Sequence, residues 1–211
     1  MFKQLTKITE HTIKDYSHKL QWIESLGIGY LPSDGYEYGE AYWEHYLDCS
    51  HGWFGERLTE LRADFVTKNE VSLESLCDVG VGSGQFVEFA NCKGADVNPL
   101  AITWLKDQGR YTDHPEEFTS LTLWDVIEHI DDPRPLLAKV ENVFISTPVY
   151  KDLDACLKSK HLKPGEHIWY FTDMGVKNFM SQMGFAARYT SDFETVLGRE
   201  SIMSYYFKKV K

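Results

Sequence analysis

No apolar run in this chain approaches the roughly 18 residues that a membrane-spanning helix needs. The opening stretch MFKQLTKITEHTIK lacks the uninterrupted apolar core of a secretory signal. Excess positive charge is missing too: 22 Lys and Arg stand against 32 Asp and Glu, a net charge of −10. That is the reverse of the basic footprint with which nucleic-acid binders neutralise phosphates. The four cysteines, Cys49, Cys77, Cys92 and Cys156, include no CxxC pair and read as reduced thiols. Internal repeats and low-complexity tracts are absent. Together these absences predict a cytoplasmic protein with no nucleic-acid partner and no membrane span.

What is present is enough apolar material for a sizeable core, 43% hydrophobic and 14% aromatic in 211 residues, which suits one domain. Residues 1–70 read as an aromatic-rich helical cap belonging to that domain, with a turn-prone break at Gly27–Gly39; Leu58, Leu61, Phe65 and Val66 suit one helical face. Over residues 71–211 short apolar runs alternate with helical ones. SLCDV, CKGADV, SLTLWDV, ENVFISTPV, FAARYT and SIMSYYFKKV read as strands, and a helix is expected at about 172–183. The alternation predicts an α/β fold: a Rossmann-like, doubly wound, mostly parallel sheet with an antiparallel edge strand.

Within LCDVGVGSGQFVEFA, Gly80, Gly82 and Gly84 stand at alternate positions between a strand and a helix. A tight turn accounts for one such glycine; three in a row point to a ligand that approaches the backbone. The dinucleotide fingerprint G-x-G-x-x-G is missing, since its last position falls on Gln85 or Val87. In its place stands an acidic residue, Asp78, followed by G-x-G-x-G. Asp96, at the end of the next strand beside Val97, follows Asp78 by 18 residues. A carboxylate there suits the two hydroxyls of a ribose, given a short intervening helix.

The loop Asp78–Gly84 resembles the first motif of class I S-adenosylmethionine-dependent methyltransferases. The run Leu123-Trp124-Asp125-Val126-Ile127-Glu128-His129-Ile130-Asp131-Asp132-Pro133, with Phe144–Pro148 and the tail His167–Thr172 and Met183-Gly184-Phe185, is similar to the subgroup that includes ubiquinone-biosynthesis O-methyltransferases. The likeness covers roughly residues 75–190. It implies S-adenosylmethionine as cofactor, leaving S-adenosylhomocysteine as product. It also implies a cofactor site drawn from Asp78, Gly80, Gly82, Gly84, Asp96, Val97, Asp113, Trp124 and Asp125. The third strand is weakly marked, with Arg110–Asp113 as its remnant, and Phe118-Thr119 stands where relatives often have Phe-Asp.

An activated sulfonium methyl needs an aligned acceptor and, for a hydroxyl, a receiver for its proton. His129 and His167 are the candidates, the plainer reading of His129 being a helix-start residue beside the cofactor. The resemblance also brings Mg²⁺ into view at Asp125, Glu128 and His129, against the reading of no metal and a helix start decorated with acids. Tyr36, Tyr38, Tyr42, Trp43, Tyr46, Trp53 and Phe54 read mainly as cap packing, Arg57 and Arg62 as solvated, and Lys158–Lys163 as a solvated basic loop. A (N/D)PP(Y/F) motif and a Pro-Cys nucleophile, marks of nucleic-acid methyltransferases, are both missing. The expectation is an enzyme that methylates oxygen or nitrogen of a small molecule. The competing reading is a non-catalytic S-adenosylmethionine-binding module that works through a protein partner.

Overall fold

The computed structural model describes residues 13–15, 20–33 and 35–210. Three short strands come first, β1 (Ile13–Asp15), β2 (Gln21–Ile23) and β3 (Ile28–Tyr30), followed by helices α1 (Glu40–Ser50) and α2 (Trp53–Thr67). The chain then alternates through β4 (Leu76–Val79), α3 (Gln85–Ala90), β5 (Lys93–Ala95), α4 (Pro99–Asp107), β6 (Ser120–Trp124), α5 (Arg134–Leu137) and β7 (Asn142–Tyr150). It closes with α6 (Leu153–Leu157), β8 (Trp169–Thr172), α7 (Asp173–Ser181), β9 (Phe185–Ser191), α8 (Phe193–Leu197) and β10 (Ile202–Lys209).

Strands β5, β4, β6 and β7 lie side by side and parallel. β10 pairs antiparallel with residues 142–148 of β7, and β9 pairs antiparallel with β10 on its far side, through a register shift at Tyr206/Phe207. The antiparallel strand therefore lies one place in from the edge. The last residues of β7, Val149 and Tyr150, leave β10 and pair parallel with β8, which carries β3, β2 and β1 in antiparallel order. The third strand of the doubly wound pattern survives as a single parallel bridge, Gly94 to Tyr111. The weak marking of Arg110–Asp113 has that meaning.

Side-chain alternation builds two cores from one sheet. Leu121, Leu123, Val143, Ile145, Tyr205 and Phe207 face one layer, with Val176, Phe179 and Met180 of α7. Trp124, Phe144 and Tyr206 face the other, with residues of α2, α3 and α4. Burial on both faces is why these strands read as continuous apolar runs. Between β5 and α4 the Asn98 side chain accepts from the Leu100 N–H at 2.9 Å, and Pro99 fills the first helical position. Cys77, Cys92 and Cys156 are buried free thiols and Cys49 is an exposed one.

The N-terminal region differs from the helical cap expected of it. Residues 13–30 supply three strands, one of them inside the turn-prone stretch, because β8 offers an open edge that three-residue segments can pair with. Residues 1–12 and 16–19 of that expected cap lie outside the described residues. On α2 the buried positions include Gly55, Thr59, Ala63 and Val66, while Leu58 and Leu61 are only half-buried. Small residues there let α2 sit close to α3. Among the described residues no helix is long and apolar enough to cross a membrane.

Candidate functional site

The parallel strands β4, β5 and β6 end on one side of the sheet, the side where open α/β folds bind ligands. After β4 the chain turns through Gly80, Gly82 and Gly84, with φ of +74°, +54° and +80°. The three glycines answer different needs. A Cβ on Gly80 would lie 2.4 Å from Val126 Cγ2, and one on Gly84 would lie 2.3 Å from the Trp104 ring. At Gly82 the approach is less severe but still tight, the nearest atom being Tyr46 Cδ1 at 3.3 Å. Gly80 and Gly84 therefore serve the protein's own packing, and Gly82 is the member of the trio that opens the loop toward α1.

Asp96 is tied to this loop. Its Oδ2 accepts from the Val81 N–H and its Oδ1 from the Asn98 N–H, both at 2.8 Å. Burial raises its pKa, and those N–H groups act against the rise. Each oxygen keeps lone-pair capacity for a hydroxyl donor. Val97, next to Asp96, is 75% exposed, and Asp113 is exposed with its carboxylate 3.5 Å from His114. Asp78 is buried at the end of β4, where Oδ1 accepts from the Thr122 hydroxyl at 2.5 Å. Burial pushes its carboxyl up to about 7, against the Thr122 hydrogen bond and the Arg62 charge.

At the end of β6 the Trp124 ring is buried with its Nε1 unpartnered, and the Arg62 guanidinium lies 5.0 Å from the ring centroid. Asp125 follows with φ of +59°, its N–H donating to the Ser146 carbonyl and hydroxyl at 3.0 and 3.1 Å. Its Oδ2 accepts from Arg62 at 2.9 Å and from Arg199 at 2.8 Å. Glu194, fully buried, receives Arg62 through both carboxylate oxygens at 2.9 and 3.0 Å and also pairs with Arg199. Burial alone would raise the Asp125 pKa; the two arginines overcome it and hold the carboxyl at about 2. Arg62, expected to be solvated, is thus the centre of a buried ion network, while Arg57 forms only a surface pair with Glu60. Glu194 and Arg199 were missed from the sequence, where they look like surface charges of the C-terminal segment.

Three residues beyond Asp125 the electrostatics reverse. Glu128 is 1% exposed, and among the described residues neither of its carboxylate oxygens has a well-formed hydrogen bond, the Thr147 hydroxyl being the nearby donor. Burial, with the Asp125 charge adding to it, pushes its carboxyl up to about 8. His129 is half-buried, and its Nδ1 lies 2.9 Å from the Glu166 carbonyl, an acceptor that makes this nitrogen the N–H donor. His167, buried, stands edge-on to His129 with ring centroids 4.7 Å apart. Its Nδ1 has no partner, and burial together with the neighbouring His129 holds its pKa down to about 3. The two histidines read as catalytic candidates are therefore neighbours, though 38 residues apart in sequence. The Lys158–Lys163 loop remains a surface feature, with Lys160 and Lys163 paired to Glu200 and Glu166.

Helix α1 covers this region without entering the core: none of its residues is fully buried. Tyr42 and Tyr46 on it and Tyr36 and Tyr38 just before it form a chain of ring contacts, Tyr36 to Tyr38 at 5.0 Å, Tyr38 to Tyr42 at 4.9 Å and Tyr42 to Tyr46 at 4.8 Å. One end of that chain lies on Gly82 through Tyr46, and Tyr38 reaches His129, its hydroxyl 3.5 Å from Nδ1. Burial pushes the Tyr38 and Tyr46 hydroxyls up to about 12, so both stay protonated at neutral pH. An open cavity of about 490 Å³ adjoins the chain, lined by Tyr36, Glu37, Glu40, Tyr42 and His45. The cap-packing expectation fails for Trp53, which is 71% exposed.

No protein-family model matches the chain, and no curated protein matches it in sequence. Solved structures do match it. Magnesium protoporphyrin IX methyltransferase from Synechocystis PCC 6803, with bound S-adenosylhomocysteine, superposes with a TM-score of 0.56 at 12% identity over 81% of this chain and 94% of that one. A S-adenosylmethionine-dependent methyltransferase from Aquifex aeolicus gives 0.54 at 11% identity, over 80% and 98%. A possible histamine N-methyltransferase from Thermotoga maritima gives 0.52 at 14% identity, over 81% and 99%. What these likenesses establish is the fold: a Rossmann-like, mostly parallel α/β sheet of the class I methyltransferase type.

Proposed function

We propose that this chain binds S-adenosylmethionine and transfers its methyl group to an oxygen or nitrogen of a small-molecule acceptor. The observation that carries the reading is the hydrogen bond joining the Gly80–Gly84 turn to the carboxylate at the next strand end, Val81 N–H to Asp96 Oδ2 at 2.8 Å. It makes one unit of a backbone that a ligand can approach and an acceptor for a ribose diol. The residues present fit such a cofactor: Gly82 has no side chain where the loop faces α1. Asp78, buried with a single hydroxyl donor, is an acceptor suited to an ammonium group.

When bound, the cofactor supplies an electrophilic methyl on a sulfonium. The chain's own part is alignment and exclusion of water, for which the row of rings from Tyr38 to Tyr46 is placed over the loop and the histidines. The tyrosine-lined cavity supports an approach for the acceptor from the α1 side. His129 is the better placed of the two histidines to receive the acceptor's proton. Its Nδ1–H is committed to the Glu166 carbonyl, so Nε2 carries a lone pair. The likeness to ubiquinone-pathway O-methyltransferases in residues 123–133 favours oxygen as the acceptor atom.

Calorimetric titration with S-adenosylhomocysteine tests the reading. One site per chain is expected, lost in Asp96→Ala, with no heat from NAD⁺. Folded protein that binds no S-adenosylhomocysteine sinks the proposal. Binding without methyl transfer to any of a broad acceptor panel leaves the non-catalytic module.

A further inference from the structure

The divalent metal that the sequence likeness associates with Asp125, Glu128 and His129 does not fit those three residues. Asp125 is not among the ligand-type side chains that gather there, and its carboxylate charge is already balanced by two arginines on Oδ2. A different set does fit: Glu128, His129 and His167 each bring one ligand atom, and these atoms lie within 4.8 Å of one another. We infer that Glu128, His129 and His167 bind a divalent transition-metal ion of the zinc or cobalt kind, with a fourth position left for water or an acceptor oxygen.

Three observations support this site. Among the described residues, both Glu128 oxygens and the His167 Nδ1 are buried without partners, as is the Thr147 hydroxyl close to the Glu128 carboxylate. Buried polar groups are almost always satisfied, so orphaned atoms on two of the three ligand-type side chains, Glu128 and His167, call for a shared partner. His129 has its Nδ1 hydrogen-bonded to the Glu166 carbonyl, the outer contact that orients a metal-binding imidazole and leaves Nε2 for the ion. One backbone and one side-chain hydrogen bond hold the two histidine-bearing segments together: the Ile168 N–H donates to the Glu128 carbonyl at 2.8 Å, and Trp169 Nε1 to the Ile130 carbonyl at 2.9 Å.

Ligand chemistry selects the ion. Two imidazoles and one carboxylate suit zinc, cobalt or iron, whereas Mg²⁺ takes oxygen ligands and keeps its waters. Ligands around a tetrahedral ion at about 2.0–2.1 Å sit about 3.3 Å apart, so from separations of up to 4.8 Å the three side chains close by up to about 1.5 Å on binding. The inference does not depend on the methyl-transfer reading, because metal binding is measured without cofactor. The His129 Nε2 lone pair serves either the ion or a proton, and the same experiment decides between these uses.

The full chain, stripped with a chelator and dialysed, is titrated with Co²⁺ alone and followed by visible absorption. The expected result is one Co²⁺ per chain with the intense bands of a low-coordinate site, displaced by Zn²⁺ and untouched by excess Mg²⁺. Glu128→Gln and His167→Ala, each checked for folding by near-ultraviolet circular dichroism, should weaken binding by at least the roughly 10–100-fold that even outer-contact changes cost. Should His167→Ala fail to fold, hyperfine-shifted imidazole N–H resonances of the Co²⁺-loaded wild type count the histidine ligands, two being expected. Absence of a Co²⁺ site in the wild type, full affinity in folded His167→Ala, or fewer than two shifted imidazoles overturns the inference. None of these outcomes bears on S-adenosylhomocysteine binding.

Discussion

Asp125 and Glu128 leave the same strand three residues apart, and the fold treats their carboxylates in opposite ways. Asp125 is met by Arg62 and Arg199, which also hold Glu194, so four charged groups from α2, the end of β6, α8 and the loop before β10 satisfy one another. Glu128 goes deeper and meets no counter-charge, only two imidazoles and the Thr147 hydroxyl nearby. A buried charge that brings its own counter-charges acts as a fastener. A buried carboxyl without them needs something the chain does not contain, either a proton or a cation.

The largest expected effect comes from turning the first region into the second. Arg62→Ala leaves Asp125 and Glu194 to share Arg199 and should cost about 3–5 kcal/mol of unfolding free energy, the penalty for breaking a buried pair. Urea unfolding measures it; a loss below about 1 kcal/mol would mean that the network is relaxed by water. The converse change is Glu128→Gln in metal-free protein. It removes a carboxyl that nothing satisfies, and should raise stability by about 1–3 kcal/mol or leave it unchanged. A clear drop in melting temperature would show that Glu128 has a partner, and the contrast with Asp125 would fall.

The smallest signal is a pH slope, and it sets Asp78 against Asp125. Asp78 titrates near 7 in the folded chain and near 3.8 unfolded. Between those values the folded state holds a proton the unfolded state has lost, so stability from this group falls as pH rises from about 4 to about 7. Asp125, at about 2 when folded, works in the other direction: its contribution is full above about pH 4 and disappears as pH falls toward 2. Asp78→Asn should flatten the melting-temperature slope between pH 4 and 7 while weakening S-adenosylhomocysteine binding. An unchanged slope would mean that Asp78 is ionised throughout that range.

The parts of the molecule legible in the sequence are those whose physics is local. Strands buried on both faces appear as apolar runs, the glycine turn as a spacing, and Asp96 as an acid at a strand end. Even the loss of the third strand left a mark in Arg110–Asp113. What stayed hidden depends on distance along the chain. Arg62 and Glu194 are separated by 132 residues, and no single-residue property of either predicts the pairing. His167 was noted, but its meeting with Glu128 follows from β8 returning beside β7, so sequence adjacency favoured Asp125 as the third member of the acidic cluster. The strands at 13–30 escaped because three residues are too few to show an alternation, and the buried stripe of α2 because glycine and threonine do not look apolar.

Two margins of the sheet, at β5 and at β9, have a consequence for how copies of this chain meet. An unpaired strand edge is a template for further pairing and so for aggregation. At the first, the reduction of the third strand to the Gly94–Tyr111 bridge leaves only a stub. At the other, β9 is seven residues long, but it is thrown out of register against β10 at Tyr206/Phe207 and carries the exposed Arg188 between Ala187 and Tyr189. A stub at β5 and a kinked, charged margin at β9 give a second chain little straight backbone to extend along those two sides.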